Sequence, residues 1–439
     1  MMFLNNKHIR HAVDVARWRL CVGCGACGSI CPEGKIRLQN VVDEGIRPIW
    51  VQGKYAKGGI NCIDCGICLA VCPGLQMTPY NDGVKGTAKA GNGIKKWGHV
   101  LELWEGYASD PEIRYKGSSG GLCTALSLFC LEEGRAGGVL HIGRDKDVPW
   151  KNRTYFSTDR EELVARAGSR YAPASPCDRL GEIEAYSKPT VFIGKPCDVA
   201  ALRMAQNQLP ALLEKVALAV GFFCAGTPAT IGTLDLLQKY SVKPSDLSAF
   251  RYRGFGWPGM ATALFKDDHK TPLQLSYEDC WGFVQKYRPF RCYLCPDITA
   301  ESADISVGDP WCRERGENEP GRSLILIRTE RGREVFQEAL AKGYINAEQT
   351  DPEIILRSQK NLLGKRQAIW GRLLAMKMFG IPTPNYEGYY LYENWLDLPL
   401  KEKVRSIAGT IRRIIQRKYY RPMDLWKGAE GAISYNLYD

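Results

Sequence analysis

The stretch CVGCGACGSICP, residues 21–32, sets Cys21, Cys24, Cys27 and Cys31 in the order C-x2-C-x2-C-x3-C and closes on proline. The pattern returns 41 residues later as CIDCGICLAVCP, with Cys62, Cys65, Cys68 and Cys72. Three thiolates two residues apart wrap a loop around one iron–sulfur cubane, and the fourth cysteine of each run reaches the other cubane. Cys31 is therefore expected at the second cluster and Cys72 at the first. Gly23, Gly25, Ala26 and Gly66 are small enough to let backbone amides approach the sulfurs. Zinc also takes CxxC pairs, but it needs only four ligands per ion, and tandem runs of four with terminal prolines fit clusters better.

Around these runs the composition is that of a globular protein. Of 439 residues, 45% are hydrophobic and 24% charged, which argues against extensive disorder and for two or three domains. Seventeen cysteines require disulfides, metal or clusters, and the compartment decides among them. The N-terminal residues MMFLNNKHIRHAVDVARW lack the apolar core of a secretory signal. The longest apolar run, Val216 to Ala225, is too short to cross a bilayer and reads as a buried strand. Reduced cytoplasmic thiols, available as ligands, are the expectation.

The chain divides into an N-terminal tail (1–15), a ferredoxin-type domain with two 4Fe-4S clusters (16–75), a linker rich in Gly, Asn, Thr and Lys (76–99), a body (100–340), a C-terminal extension (341–400) and a basic amphipathic tail (401–439). In the body, strand-like runs such as GGVLHIG near 140, TVFIG near 192 and SLILIR near 325 alternate with helix-like segments. The expected fold is a bacterial-ferredoxin-like two-cluster domain followed by a mixed α/β or α+β catalytic domain.

Four body segments combine glycine, cysteine and a strand-to-helix transition, where ligands sit in α/β proteins. In KGSSGGLCTALSLFCLEEG, the residues Ser118, Ser119, Gly120 and Gly121 precede an apolar helix; they suit a phosphate or a plain helix cap. TVFIGKPCDVAALR, VGFFCAGTP and RPFRCYLCPDITAESADISVGDPW supply Cys197, Cys224, Cys292 and Cys295, the number of thiolates one cubane needs.

On GKPCDVAAL, RCYLCPD and ADISVGD, roughly residues 100 to 340 resemble the coenzyme F420 hydrogenase/dehydrogenase beta-subunit family. That family also includes 7-hydroxymethyl chlorophyll a reductase and the ferredoxin-dependent divinyl reductases. The resemblance implies a flavin, FAD rather than FMN, beside a third 4Fe-4S cluster held by Cys197, Cys224, Cys292 and Cys295. It makes Ser118 to Gly121 a flavin-phosphate loop and Arg170, Tyr171, Lys195, Arg253 and Asp309 further candidates around the flavin. It also implies ferredoxin or coenzyme F420 as redox partner. A flavin exchanges two electrons as hydride and single electrons with clusters, so it is the natural converter in such a chain.

Cys123 and Cys130 lie seven apart on one apolar helix face and read as core, while Cys177, Cys280 and Cys312 stay unassigned. Cys280 and Cys312 lie close enough to the CxxC in sequence for either to replace a chosen ligand. The five histidines (His8, His11, His99, His141, His269) are scattered, and GFGWPG lacks the context of a nicotinamide fingerprint. No catalytic acid, base or nucleophile is assigned.

Residues 401–421 hold Lys401, Lys403, Arg405, Arg412, Arg413, Arg417, Lys418 and Arg421 against Glu402 alone, so +7 of the net +11 lies here and nucleic-acid binding has little support. Val404, Ile407, Ala408, Ile411, Ile414 and Ile415 recur at helical spacing. Such a basic amphipathic helix could pack its apolar face on the body, lie at the inner membrane surface, or dock an acidic ferredoxin.

Three functions compete. The leading one is a flavin and iron–sulfur reductase that passes electrons from ferredoxin or reduced deazaflavin to an organic substrate. The alternative is an electron-input, beta-type subunit of a hydrogenase, formate dehydrogenase or related complex working on coenzyme F420. A zinc-stabilised interaction protein is the third.

Overall fold

The computed structural model describes residues 8–51, 65–80, 93–314 and 320–425. Cys62 and the end of the basic tail lie outside them. The body is built on one eight-stranded sheet. Its spatial order is Ile345–Gln349, Glu102–Ala108, Ser323–Ile327, Ile305–Gly308, Val216–Phe222, Thr190–Gly194, Gly138–Arg144 and Asn152–Ser157. The four strands from Ile305–Gly308 to Gly138–Arg144 run parallel, and antiparallel strands extend the sheet on both sides.

The parallel strands are nearly continuous apolar runs because both faces are covered. Helix Leu122–Glu132 seals one face with Leu126 and Phe129, against Val191, Val220 and Ile325. Helix Pro196–Gln208 seals the other with Val199, Leu202 and Ala205, against Phe192 and Ala219. Cys130 is core, as expected; burial pushes the Cys123 and Cys130 thiols up to about 12. A smaller antiparallel sheet, Leu247–Arg251, Ala261–Phe265 and Leu273–Leu275, packs around Tyr252, Trp150 and Cys280.

The expected body boundary at 340 falls before the edge strand Ile345–Gln349, which a short polar segment, INAEQ, conceals in the sequence. The expected linker contains a strand, Gln76–Met77, that pairs in parallel with Asn385–Tyr386 of the C-terminal extension. One apolar cluster joins Val15 of the N-terminal tail and Leu20 and Cys21 of the ferredoxin-type segment to Ile369, Met376 and Ile414 near the C-terminus. The extension therefore packs on the cluster segment.

Helix Leu400–Gln416 forms over the basic stretch, but its apolar face is not the face that packs. The buried positions are Ser406, Thr410 and Ile414, while Val404, Ala408 and Ile415 are exposed and Ile407 and Ile411 half-buried. Close approach decides this orientation: Ser406 sits against Gly371, where an added Cβ would lie 2.1 Å from its Oγ, and that Oγ accepts the Trp395 Nε1 hydrogen at 3.1 Å. Among the described residues, no helix is long and apolar enough to cross a membrane.

Candidate cluster and cofactor site

Two parallel strands deliver cysteine at their carboxyl ends, the edge where open α/β sheets place their sites. Thr190–Gly194 runs into Lys195, Pro196 and Cys197, and Val216–Phe222 into Cys224. The turn at 290–294 adds Cys292 and Cys295. All four cysteines line one cavity, as the sequence predicts for a third ligand set, together with Lys195, Arg291 and Lys365. Cys280 is instead enclosed by the aromatic core of the small sheet, and Cys312 is exposed beside Ser358.

The donors fit an anionic cluster. The Gly226 amide donates to Cys224 Sγ at 3.3 Å, a bond that favours a thiolate ligand. Burial raises the thiols of Cys197, Cys224 and Cys295, the last to about 12, so without positive charge nearby these three would stay protonated. Four cations line the cavity, and one of them, Arg47, is paired with Glu44 at 3.5 Å. Lys195 Nζ lies 2.6 Å from Asp198 Oδ2; burial works against its charge but is outweighed by Asp198 and Cys197, and its pKa is raised. Lys365 donates to the Ala225 carbonyl, and burial lowers it to about 8. Arg291 is 1% exposed; its Nη2 donates to the Pro73 carbonyl at 2.8 Å, while Nε and Nη1 are buried without a protein acceptor. Unpaired guanidinium hydrogens beside four cysteines are what a bound anion would satisfy.

A second, smaller cavity is lined by Cys21, Cys24, Cys27 and Cys72. These are the four cysteines that the spacing assigns to the first cluster, Cys72 coming from a separate segment. The Gly23 amide donates to Cys21 Sγ at 3.3 Å, and the Lys35 amide to Cys31 Sγ at 3.4 Å. Gly25 is left-handed (φ 95°), and a Cβ there would meet the Asp178 amide nitrogen at 2.7 Å. Cys31 and Cys68 pack with Cys27 in one apolar cluster. Cys21, Val22 and Gly23 line both this cavity and that of the body. The body grips this loop: Ser175 Oγ donates to the Gly23 carbonyl at 2.6 Å and the Cys177 amide to the Cys24 carbonyl at 3.0 Å. Among the described residues, no three His, Cys, Asp or Glu side chains converge tightly enough to chelate one ion; the cysteines stand around cavities instead.

The nine residues proposed for the flavin fall in three places. Ser118–Gly121, Tyr171, Arg253 and Asp309 come together: Arg253 pairs bidentately with Asp309 (2.7 and 3.0 Å) and donates to the Ser118 carbonyl, with Tyr171 at 3.5 Å and Trp257 Nε1 2.9 Å from Asp309. Much of the loop's own hydrogen bonding is internal. The Gly120 amide donates to Ser323 Oγ at 2.9 Å, Ser118 Oγ accepts from the Ser169 amide, and left-handed Gly121 caps the helix. Arg170 spends its hydrogens on Asn152 and on the Phe250, Pro149 and Lys151 carbonyls, a clamp between segments. Lys195 stands at the cysteine cavity.

A cavity of about 550 Å³, larger than either cysteine cavity, lies between the ferredoxin-type segment and the body. Its wall includes Asp145, Lys151, Asn152, Arg153, Thr154 and Asp178, and it shares Ile46, Pro173 and Ala174 with the cysteine cavity. Burial brings Lys151 down and Asp178 up, each to about 7, and Asp178 Oδ1 has no hydrogen-bond partner. The sequence candidates Arg170 and Tyr171 in GSRYAPA end one residue short of this wall, and none of them lies in DKDVPWKNRT. The usable signal was its position after the parallel strand Gly138–Arg144.

Fold and site together define a class, an α/β protein that carries an N-terminal ferredoxin-type 4Fe-4S unit. Residues 20–86 match the 4Fe-4S dicluster domain profile. Residues 103–180 match the N-terminal profile, and residues 188–353 the C-terminal profile, of the coenzyme F420 hydrogenase/dehydrogenase beta subunit. The chain belongs to that family. A coenzyme F420-dependent sulfite reductase of Methanocaldococcus jannaschii is 26% identical over 76% of this chain, which spans 48% of that relative's length. The coenzyme F420 hydrogenase subunit beta of Methanosarcina barkeri is 27% identical over 54% of this chain and 77% of its own. An F420-dependent formate dehydrogenase 1 subunit beta of Methanococcus maripaludis is 28% identical over 57% of this chain and 62% of its own. A chain of the F420-reducing [NiFe] hydrogenase complex from Methanosarcina barkeri shares the fold, with TM-score 0.53, 23% identity and coverage of 67% of this chain and 98% of that one.

Proposed function

We propose that this chain is the electron-input, beta-type subunit of a coenzyme F420-linked oxidoreductase, holding three 4Fe-4S clusters and a flavin. The observation that carries this reading is contiguity. Cys21, Val22 and Gly23 border both cysteine cavities, and Ile46, Pro173 and Ala174 border both the body cysteine cavity and the 550 Å³ cavity. Cys21, Cys24, Cys27 and Cys72 would hold one cluster and Cys197, Cys224, Cys292 and Cys295 another, with Cys31, Cys62, Cys65 and Cys68 for the third. Arg291, Lys195 and Lys365 balance the body cluster's charge. The cavity of about 550 Å³ takes the flavin, with Asn152, Arg153 and Thr154 as polar wall; Ser118–Gly121 and the Arg253–Asp309 pair brace the loops beside it, through Tyr171, which precedes the wall residue Ala172.

A flavin bound there would couple two-electron hydride exchange to single-electron transfer. The self-contained reductase with an organic substrate ranks second. What favours it is the ferredoxin-type segment gripped by Ser175 and Cys177, which gives one chain its own electron supply.

Anaerobic purification tests both. Expected are brown protein, released flavin and reduction of the clusters by reduced coenzyme F420. Copurifying hydrogenase or dehydrogenase subunits support the first reading. A colourless protein with zinc and no flavin defeats both.

A further inference from the structure

Helix Leu400–Gln416 is about 25 Å long and is held to the protein by a narrow edge. That edge is mostly polar. Ser406 Oγ donates to the Lys403 carbonyl at 2.6 Å, Thr410 Oγ1 donates to the Ser406 carbonyl at 2.7 Å, and Ile414 alone enters the apolar cluster. The aliphatic residues of the helix lie on a neighbouring face. Leu400 is 77% exposed, Val404 57% and Ile415 55%, with half-buried Ile411 between them. At 100° per residue these four form one continuous stripe.

Alongside the stripe, on the side away from the attached edge, run Lys401, Arg405 and Arg412, all exposed. Glu402 is the only acid on the helix, 3.5 Å from Arg405. A chain gains nothing from turning its most apolar helical face to water when a rotation of about a third of a turn would bury it.

We propose that this helix lies in the plane of an anionic lipid surface, its stripe at the acyl boundary and its cationic row among the headgroups. Charge complementarity argues for an acidic surface of some kind, since residues 401–421 carry eight cations against one acid. The composition of the stripe argues for lipid over an acidic protein. Protein interfaces concentrate binding energy in Trp, Tyr and Arg set in pockets and make little use of Leu and Val, whereas this stripe is a row of Leu, Val and Ile with no aromatic member. Long cationic stems beside such a row are the pattern of interfacial helices, where they reach outward to the phosphates. Tyr420, 40% exposed just past the helix, suits the headgroup level.

Flotation of the full chain with vesicles separates the outcomes. Vesicles of phosphatidylcholine with phosphatidylglycerol are expected to carry the protein up, phosphatidylcholine alone is not, and raising the salt releases it. Combined Lys401→Gln, Arg405→Gln and Arg412→Gln should weaken partition on the order of a hundredfold. Combined Leu400→Ser, Val404→Ser and Ile415→Ser keeps every charge and should also abolish flotation, which separates insertion from general attraction of a basic protein. Retained cluster absorbance in each variant reports that it is folded. Equal flotation with both lipids, none with either, or full flotation of the serine variant would overturn the proposal. So would loss of binding to an acidic ferredoxin in the serine variant when the parent chain ignores anionic vesicles.

Discussion

Around the N-terminal cavity, Cys21, Cys24 and Cys27 come from a single loop and only Cys72 from elsewhere, whereas around the body cavity Cys197 and Cys224 follow two separate strands and Cys292 and Cys295 a third segment. The charges differ as well. Arg47, Lys195, Arg291 and Lys365 line the body cavity, and among the described residues no cation lines the small N-terminal one. A loop that supplies its own ligands positions them by backbone geometry, through left-handed glycines and amide-to-sulfur bonds. A site assembled from distant segments depends on the sheet to hold its ligands and on buried cations to keep them ionised.

The largest expected effect tests whether the body cavity is a ligand set at all. Cys224→Ser or Cys295→Ser should lower iron from about twelve to about eight atoms per chain, while Cys312→Ser leaves it unchanged; iron analysis that ranks them otherwise breaks the comparison. Stability of the sheet that holds the distant ligands comes next. His141 is buried beside Ser157 Oγ at 2.8 Å, and burial lowers it from 6.5 to about 4. The unfolded chain therefore binds the extra proton first, so this contribution is complete above pH 6.5 and lost as pH falls toward 4. It amounts to about 3 kcal/mol, and His141→Gln should flatten the pH dependence of unfolding across that window.

A third variant addresses the self-sufficient loop. Gly25→Ala forces a left-handed alanine against the Asp178 backbone and should cost about 2 kcal/mol, seen as early melting of the N-terminal unit by hydrogen exchange with the body sheet still protected. The smallest effect is electrostatic. Arg291→Gln removes a buried cation from the body cavity and should lower the potential of that cluster by about 60 mV, a tenfold change in a one-electron equilibrium. An EPR titration that moves the N-terminal signals instead would reverse the assignment of Arg291.

The legibility of the two sites follows the same contrast. Local spacing exposed the N-terminal runs and their crossed partner, and Cys72 stands where the spacing required. Strands TVFIG and SLILIR, buried on both faces, were readable from composition. Cys197, Cys224, Cys292 and Cys295 needed the family resemblance, because nothing local relates residues a hundred positions apart. Arg291 and Lys365 carried no signal, since one basic residue looks like another until burial is known. The placement of Leu400–Gln416 was left open among three readings for a related reason: apolar periodicity predicts which side avoids water, but contact with Gly371 and Trp395 decided which side docks.

The two-residue pairing of Gln76–Met77 with Asn385–Tyr386 bears on how this architecture can be taken apart. Residues from the far C-terminal half finish the platform on which the N-terminal unit rests, with Met423 and Arg421 bonded back to Arg17 and Arg19. The ferredoxin unit is therefore not a portable cassette. A graft or truncation that moves residues 1–99 alone leaves behind the chain that covers their apolar side, and transplantation to another protein would have to carry residues 353–425 with it.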